Sequence, residues 1–225
     1  ELEARGETGF MFDDGTLRAR VRVFREAGGT AAIIKLVARH APSLADVGAP
    51  DDLGRLCQID AGIVVVAGHT RGGRSTTLAA IVRAINETRA KSVATVEEHV
   101  ECLHAPQRGV VHQREVGSRP CAPMIRASEA DVVAVDAGLD GDAIEALVDA
   151  AESGRLVVAV VTAHPHADRR AIVDALCERV AADKRDRVRR LLEQHLAAVV
   201  GVSLTGAPRR AAFAVSSRAP RLVAA

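Results

Sequence analysis

A chain of 225 residues is long enough to bury one sizeable core and to carry a smaller attached piece. Its 30 basic and 29 acidic residues leave a formal net charge of +1, so no overall field draws it to nucleic acid or to an anionic membrane surface. No stretch reaches the ~20 consecutive apolar residues of a membrane-spanning helix, and the acidic start Glu1-Leu2-Glu3-Ala4 is unlike a secretory leader.

Residues 1–41 are expected to form a partial N-terminal fragment. From Arg18 to Phe24 the sequence alternates strictly, which puts Ala19, Val21 and Val23 on a packed strand face and Arg18, Arg20 and Arg22 on a basic one. Gly28 and Gly29 supply a turn, and residues 32–37 a second strand. Pro42, Gly48 and Pro50 mark residues 42–58 as a linker with a short helical patch at Leu53 and Leu56, which leaves 59–225 as the main domain.

The chemistry concentrates in residues 62–77. Residues 64–67 read as a buried strand, and Leu78, Ile81, Val82 and Ile85 recur at helical spacing just beyond. Between them Gly68, Gly73, Arg74 and Ser75 keep the spacing of a phosphate-binding loop, Gly-x4-Gly-Lys-Ser/Thr, with arginine where that pattern has lysine. Such a loop converges backbone N–H groups on phosphate oxygens, and the positive end of the following helix dipole adds to them. On this reading Gly68, Thr70, Gly72, Gly73, Arg74, Ser75 and Thr76 bind the phosphates, and Ser75 sets its hydroxyl on a nucleotide-borne magnesium. A glycine-rich turn without a ligand is the alternative. Arg74 keeps the positive charge, but its planar fork is longer and less compact than an ammonium.

Further apolar runs at 93–96, 110–111, 132–135 and 156–161, with Ile144, Leu147, Val148 and Ala151 at helical spacing, argue for an α/β fold with a mostly parallel sheet covered by helices. Glu97 and Glu98 close one apolar strand, where ligands of parallel sheets sit, and are the candidate catalytic carboxylates; an ordinary solvated strand end is the alternative. Val188, Leu191, Leu192, His195 and Val199 read as one helical stripe with His195 a hydrogen-bonded packing residue, followed by a weak strand at 211–215. His164 and His166, beside Pro165, read as solvated loop histidines. Cys57, Cys102, Cys121 and Cys177 show no disulfide or zinc spacing, even with His104 and His112 near Cys102, and read as reduced thiols of a cytosolic chain.

Several blocks together resemble a known family, the ATPases of type IV pili and type II secretion, and most closely the PilT-like retraction motors. The loop followed by Leu78-Ala79-Ala80-Ile81 looks like that family's loop and helix, and Thr95-Val96-Glu97-Glu98 resembles its acidic box. Gln113-Arg114-Glu115-Val116-Gly117 is similar to a segment typical of these motors, Ala150-Ala151-Glu152-Ser153-Gly154 to the helix before its His box, and residues 18–29 to the end of its N-terminal domain.

The resemblance implies a RecA-like P-loop NTPase core preceded by a truncated PAS-like fragment, with ATP and magnesium as cofactors. It implies a homo- or hetero-hexamer with PilT-like subunits, and a cytoplasmic setting at the inner membrane beneath a pilus or secretion platform protein. It also puts Arg18 and Arg20, with Arg22, where the family sends arginines to a neighbour's phosphates; a solvated strand face remains the other reading. Between Gly117 and Asp131 the chain is shorter than the family pattern, so an arginine-bearing helix is expected to be lost or reduced to Arg126, and the C-terminal helical region stops early at Ala225.

Three chemical positions depart from the family. Arg74 replaces the loop lysine, Ala137 falls where the family has its Walker B glutamate, and Thr162 where the His box has its histidine. A methyl group neither orients nor deprotonates water. The expectation is a nucleotide-binding homologue with weak or lost hydrolysis, or a non-catalytic partner that regulates an active ring.

Overall fold

The computed structural model describes Leu2 and residues 6–206 and 210–217; Glu1, Glu3 and Ala4 of the acidic start and the end at Ala225 lie outside the described residues. The chain forms two compact units, one of residues 1–41 with 100–104 and one of 42–99 with 105–225.

The small unit is an antiparallel sheet of β1 (Glu7–Asp13), β2 (Arg18–Glu26) and β3 (Gly29–Leu36), in that order. β1 has no clean alternation and is not legible in the sequence; pairing Phe10 with Val21 and Phe12 with Ala19 completes an apolar face. Asp13 and Asp14 shape the turn into β2. Their carboxylates accept from the N–H groups of Gly15 and of Thr16 and Leu17, at 2.7 to 3.0 Å, and these bonds hold both below the usual carboxylate range. The apolar face of β2 was expected to be packed, but only Ala19 is buried. On the same face Ile34 and Leu36 are 63% and 67% exposed.

The larger unit contains α1 (Asp51–Leu56), β4 (Gly62–Gly68), α2 (Arg74–Thr88), β5 (Ser92–Glu97), β6 (Val110–Glu115), α3 (Ala122–Arg126), β7 (Val132–Asp136) and α4 (Gly141–Glu152). β8 (Leu156–Thr162), α5 (Arg169–Cys177), α6 (Arg185–His195), β9 (Leu196–Thr205) and β10 (Arg210–Ser217) follow. One seven-stranded sheet runs β10-β9-β4-β8-β7-β5-β6, parallel throughout except for β10. Among the described residues no helix is long and apolar enough to cross a membrane.

The valine-rich runs form central strands because both of their faces are covered. Val64, Val66, Val132, Ala134, Val158 and Val160 pack under Leu78, Ile81, Val82 and Ile85 of α2 and Leu53 of α1. The alternate residues, including Val65, Val133, Val135, Val157 and Ala159, pack under Ile144 and Leu147 of α4, Ile172 of α5 and Leu192 of α6. These two layers leave the carboxyl ends of β4, β8, β7 and β5 along one edge, at Gly68, Thr162, Asp136 and Glu97.

Two expectations change here. The helical stripe drawn through Val199 ends at His195, and Leu196–Thr205 is instead a strand, because its β-branched run is buried between β4 and β10 and sheet pairing outweighs the four-residue spacing from His195 to Val199. The Nε2 of His195, expected to be hydrogen-bonded, is buried with no partner among the described residues. The segment between Gly117 and Asp131 contains the five-residue α3, ending at Arg126, whose guanidinium donates to Asp142 O. α5, capped by Asp168 accepting from Ala171 N at 2.8 Å, had not been read at all.

Gly201 in β9 lies so close to the loop after β8 that an added Cβ would overlap the carbonyl oxygen of Pro165. Gly201→Ala is expected to lower urea-unfolding stability by about 1–3 kcal/mol through overpacking, which an unchanged midpoint would contradict. Burial pushes the Cys57 thiol up to about 12 and raises Cys121 and Cys177 as well. Alkylation of native protein at pH 8, read by peptide mass mapping, should therefore label the half-buried Cys102 first and the other three only on unfolding.

Candidate functional site

The turn from β4 into α2 owes its shape to positions that reject side chains. Gly73 has φ 97°, and Arg71, at φ 62°, is the one non-glycine residue with positive φ among the described residues. The amide of Gly72 donates to His69 O at 2.9 Å, and a Cβ on Gly72 would come within 2.8 Å of that oxygen. α2 then starts at Gly73 with no side-chain cap and no acidic residue in its first turn. The positive end of its dipole is thus left to an outside anion. Thr70, Ser75 and Thr76 are exposed on this turn, whereas Thr77 is buried and its hydroxyl donates to Gly73 O at 2.9 Å.

Arg74 does not project away from the loop. Its stem passes over Gly68, where a Cβ would lie 3.1 Å from Arg74 Cγ, and its Nη1 donates to Thr162 Oγ1 at 2.6 Å. Burial pulls the guanidinium below its ordinary value, and the charge of Asp136 opposes that pull. Asp136 closes β7 on the same alternating face as Val132 and Ala134, the face covered by α2. Ala137, next in the chain, packs instead against the opposite layer. Asp136 was missed in the sequence, although a carboxylate ending a four-residue apolar run is a visible signal.

The structure separates the two candidate carboxylates. Glu97 lies opposite Asp136 in register, and its Oε1 accepts from Thr95 Oγ1 at 2.5 Å and from Gln113 Nε2 at 3.4 Å. Glu98 follows the strand end, exposed, with Oε1 3.8 Å from His99 Nε2. His164 and His166 are exposed, but they are not isolated: His69 of the loop and His164 stand edge to face at 5.6 Å, and His166 lies a further 5.6 Å from His164.

A cavity of 440 Å³ adjoins the loop at Gly73, Thr76 and Thr77, walled by Val47, Leu204 and Arg210. Its lining is mixed, with Thr76, Thr77 and Arg210 beside Val47 and Leu204. Asp46, also on its rim, is fixed by a reciprocal pair with Ser43, at 2.8 and 3.0 Å, that holds its carboxyl below the usual range. None of these wall residues belongs to a motif, so no sequence pattern points to them.

In the small unit Arg18 is only 9% exposed and donates to Asp13 Oδ2, to Val100 O and to Glu101 O, at 2.6 to 2.8 Å. Arg20 is 37% exposed and lies 3.8 Å from Glu101 Oε1.

The family described as "Type II/IV secretion system protein" matches residues 15–198. The chain is similar to an uncharacterized Escherichia coli protein, YggR, with 34% identity over 83% of this chain and 58% of that protein. It is also similar to the type IV pilus retraction ATPase PilT of Pseudomonas aeruginosa, with 28% identity over 88% of this chain and 58% of PilT. A crystal structure of the pilus retraction motor PilT with bound ADP superposes with a TM-score of 0.86 at 28% identity, covering 98% of this chain and 66% of that one. The chain thus spans little more than half the length of the curated relatives it matches. This superposition identifies the larger unit as a RecA-like α/β core with a mostly parallel sheet.

Gly73→Ala forces a Cβ into the left-handed region and within 3.3 Å of Leu204 Cδ2. It should cost about 1–3 kcal/mol by chemical denaturation while leaving far-UV circular dichroism unchanged; an equal or greater stability would contradict the strained turn described above.

Proposed function

The chain belongs to the type II/IV secretion system protein family, and from that premise we propose that it binds ATP with magnesium but hydrolyses it weakly or not at all. The observation that carries this reading is the preserved turn beside altered chemistry: an uncapped α2 behind Gly73, with Arg74 tied to Thr162 and Ala137 facing the other layer. The residues fit the cofactor. Gly68, Thr70, Gly72, Gly73 and Thr76 would line the phosphates, Ser75 would meet the magnesium, and the cavity at Val47 and Leu204 would take the base. Bound magnesium supplies charge neutralisation for the phosphates.

Hydrolysis needs a group that orients water. Ala137 has none, and loss of such a group lowers rates by ~10²–10⁴. Glu97 is the nearer substitute in this reading, being half-buried at the strand end beside Asp136, whereas Glu98 turns outward. We assign residues 1–41 to a partial PAS-like piece, 42–58 to a linker and 59–225 to the NTPase core. Arg20 remains the better candidate for reaching a neighbouring subunit's phosphates, since the three bonds of Arg18 commit it to its own unit.

A second reading has two observations in its favour. The methyl of Ala137 and the tied guanidinium of Arg74 suit a subunit that joins a ring of PilT-like subunits and regulates it without turnover. Either role would operate on the cytoplasmic side of a pilus or secretion platform.

Titration of the purified chain with a fluorescent ATP analogue and magnesium should give saturable binding, while steady-state turnover stays far below 1 per second. Absence of binding would defeat the proposal, and turnover near 1 per second would defeat its hydrolytic half. Arg74→Lys with Ala137→Glu should raise turnover by at least tenfold over the parent, measured by phosphate release with and without an active motor present.

A further inference from the structure

The two departures at positions 74 and 162 lie 88 residues apart in sequence and meet in one hydrogen bond. Their meeting follows from the sheet. Gly68 and Thr162 are register partners on the adjacent parallel strands β4 and β8, so Thr162 stands one strand spacing, about 4.8 Å, from the residue over which Arg74 passes. Only a glycine at 68 leaves room for that path, because a Cβ would be 3.1 Å from Arg74 Cγ and 2.5 Å from Val202 O. The guanidinium is long enough to reach the hydroxyl, and the bond, at 2.6 Å, is charge-assisted. Asp136, at the end of the next strand, adds a field that favours the cation there, against the pull of burial.

We propose that Thr162 is a positioning residue for Arg74: it parks the guanidinium at the end of β8, and a phosphate in the loop has to draw it away. Arg74 is then a latch with two settings, one bonded to Thr162 and one turned to phosphate. Phosphate affinity is reduced by the strength of the parking bond, and occupancy of the loop is signalled to the end of β8 by its release. The His69, His164 and His166 rings begin just beyond that strand end and form the neighbouring surface that would register the release. The proposal rests on the nucleotide-binding reading above and adds regulation to the same site.

The test uses the full 225-residue chain and two probes, a fluorescent ATP analogue with magnesium and inorganic tripolyphosphate. Thr162 is exposed, so Thr162→Val should fold, and Thr162→Ala serves as a second deletion of the hydroxyl. Both should bind the probes about tenfold more tightly than the parent, the value of one hydrogen bond to a charged group. Thr162→Ser should behave as the parent does. In an Arg74→Lys background, Thr162→Val should change affinity less than twofold. A merely structural role for Thr162 would shift the urea midpoint without this dependence on Arg74. Binding by the parent that is unchanged or weakened in Thr162→Val and Thr162→Ala overturns the latch alone. No binding by any of the proteins, with urea midpoints intact, removes the nucleotide reading and the latch with it.

Discussion

The shared level at which four parallel strands stop governs everything else in the larger unit. β4, β8, β7 and β5 pair in continuous register, so Gly68, Thr162, Asp136 and Glu97 come to a single edge although nearly a hundred residues of chain separate the first from Thr162. That level is set by burial on both faces: shifting any of these strands by one residue would exchange the side chains of the two core layers. The loop, the tied arginine and the carboxylates are brought to one edge by that hydrophobic constraint.

This separation of scaffold from chemistry is in keeping with a close superposition on the pilus retraction motor PilT at only 28% identity. A glycine on which an added Cβ would stand 2.5 or 2.8 Å from a carbonyl oxygen is fixed by backbone packing. Ala137 is not constrained in that manner, since its methyl meets a layer that accepts small apolar groups. Arg74 stands between the two cases. Its stem lies across a glycine and its guanidinium ends on a hydroxyl.

Much of this was legible beforehand. The valine runs announced the central strands because doubly buried strands read as continuous apolar segments, and the loop announced itself by glycine spacing. β9 was misread because Val199 lies four residues after His195, a helical interval by coincidence, while the pairing with β4 and β10 that makes it a strand comes from distant parts of the chain. β1 was invisible for a similar reason: its apolar face exists only once Phe10 and Phe12 stand across from Val21 and Ala19. Within the site, the carboxylate of Asp136 and the link from Arg74 to Thr162 depend on strand order, which no local pattern encodes. The cavity walls Val47, Leu204 and Arg210 come from three separate segments and share no motif.

The small unit has a practical bearing on any study of assembly. Phe10, Phe12, Ile34 and Leu36 present a greasy surface on one side of a thin three-stranded layer, and none of them is less than 43% exposed. Surfaces of this sort adhere to whatever is offered, including each other. Particle sizes recorded for this chain in dilute buffer will therefore include clumping through that layer, which mild detergent or a charged replacement at Ile34 would reduce.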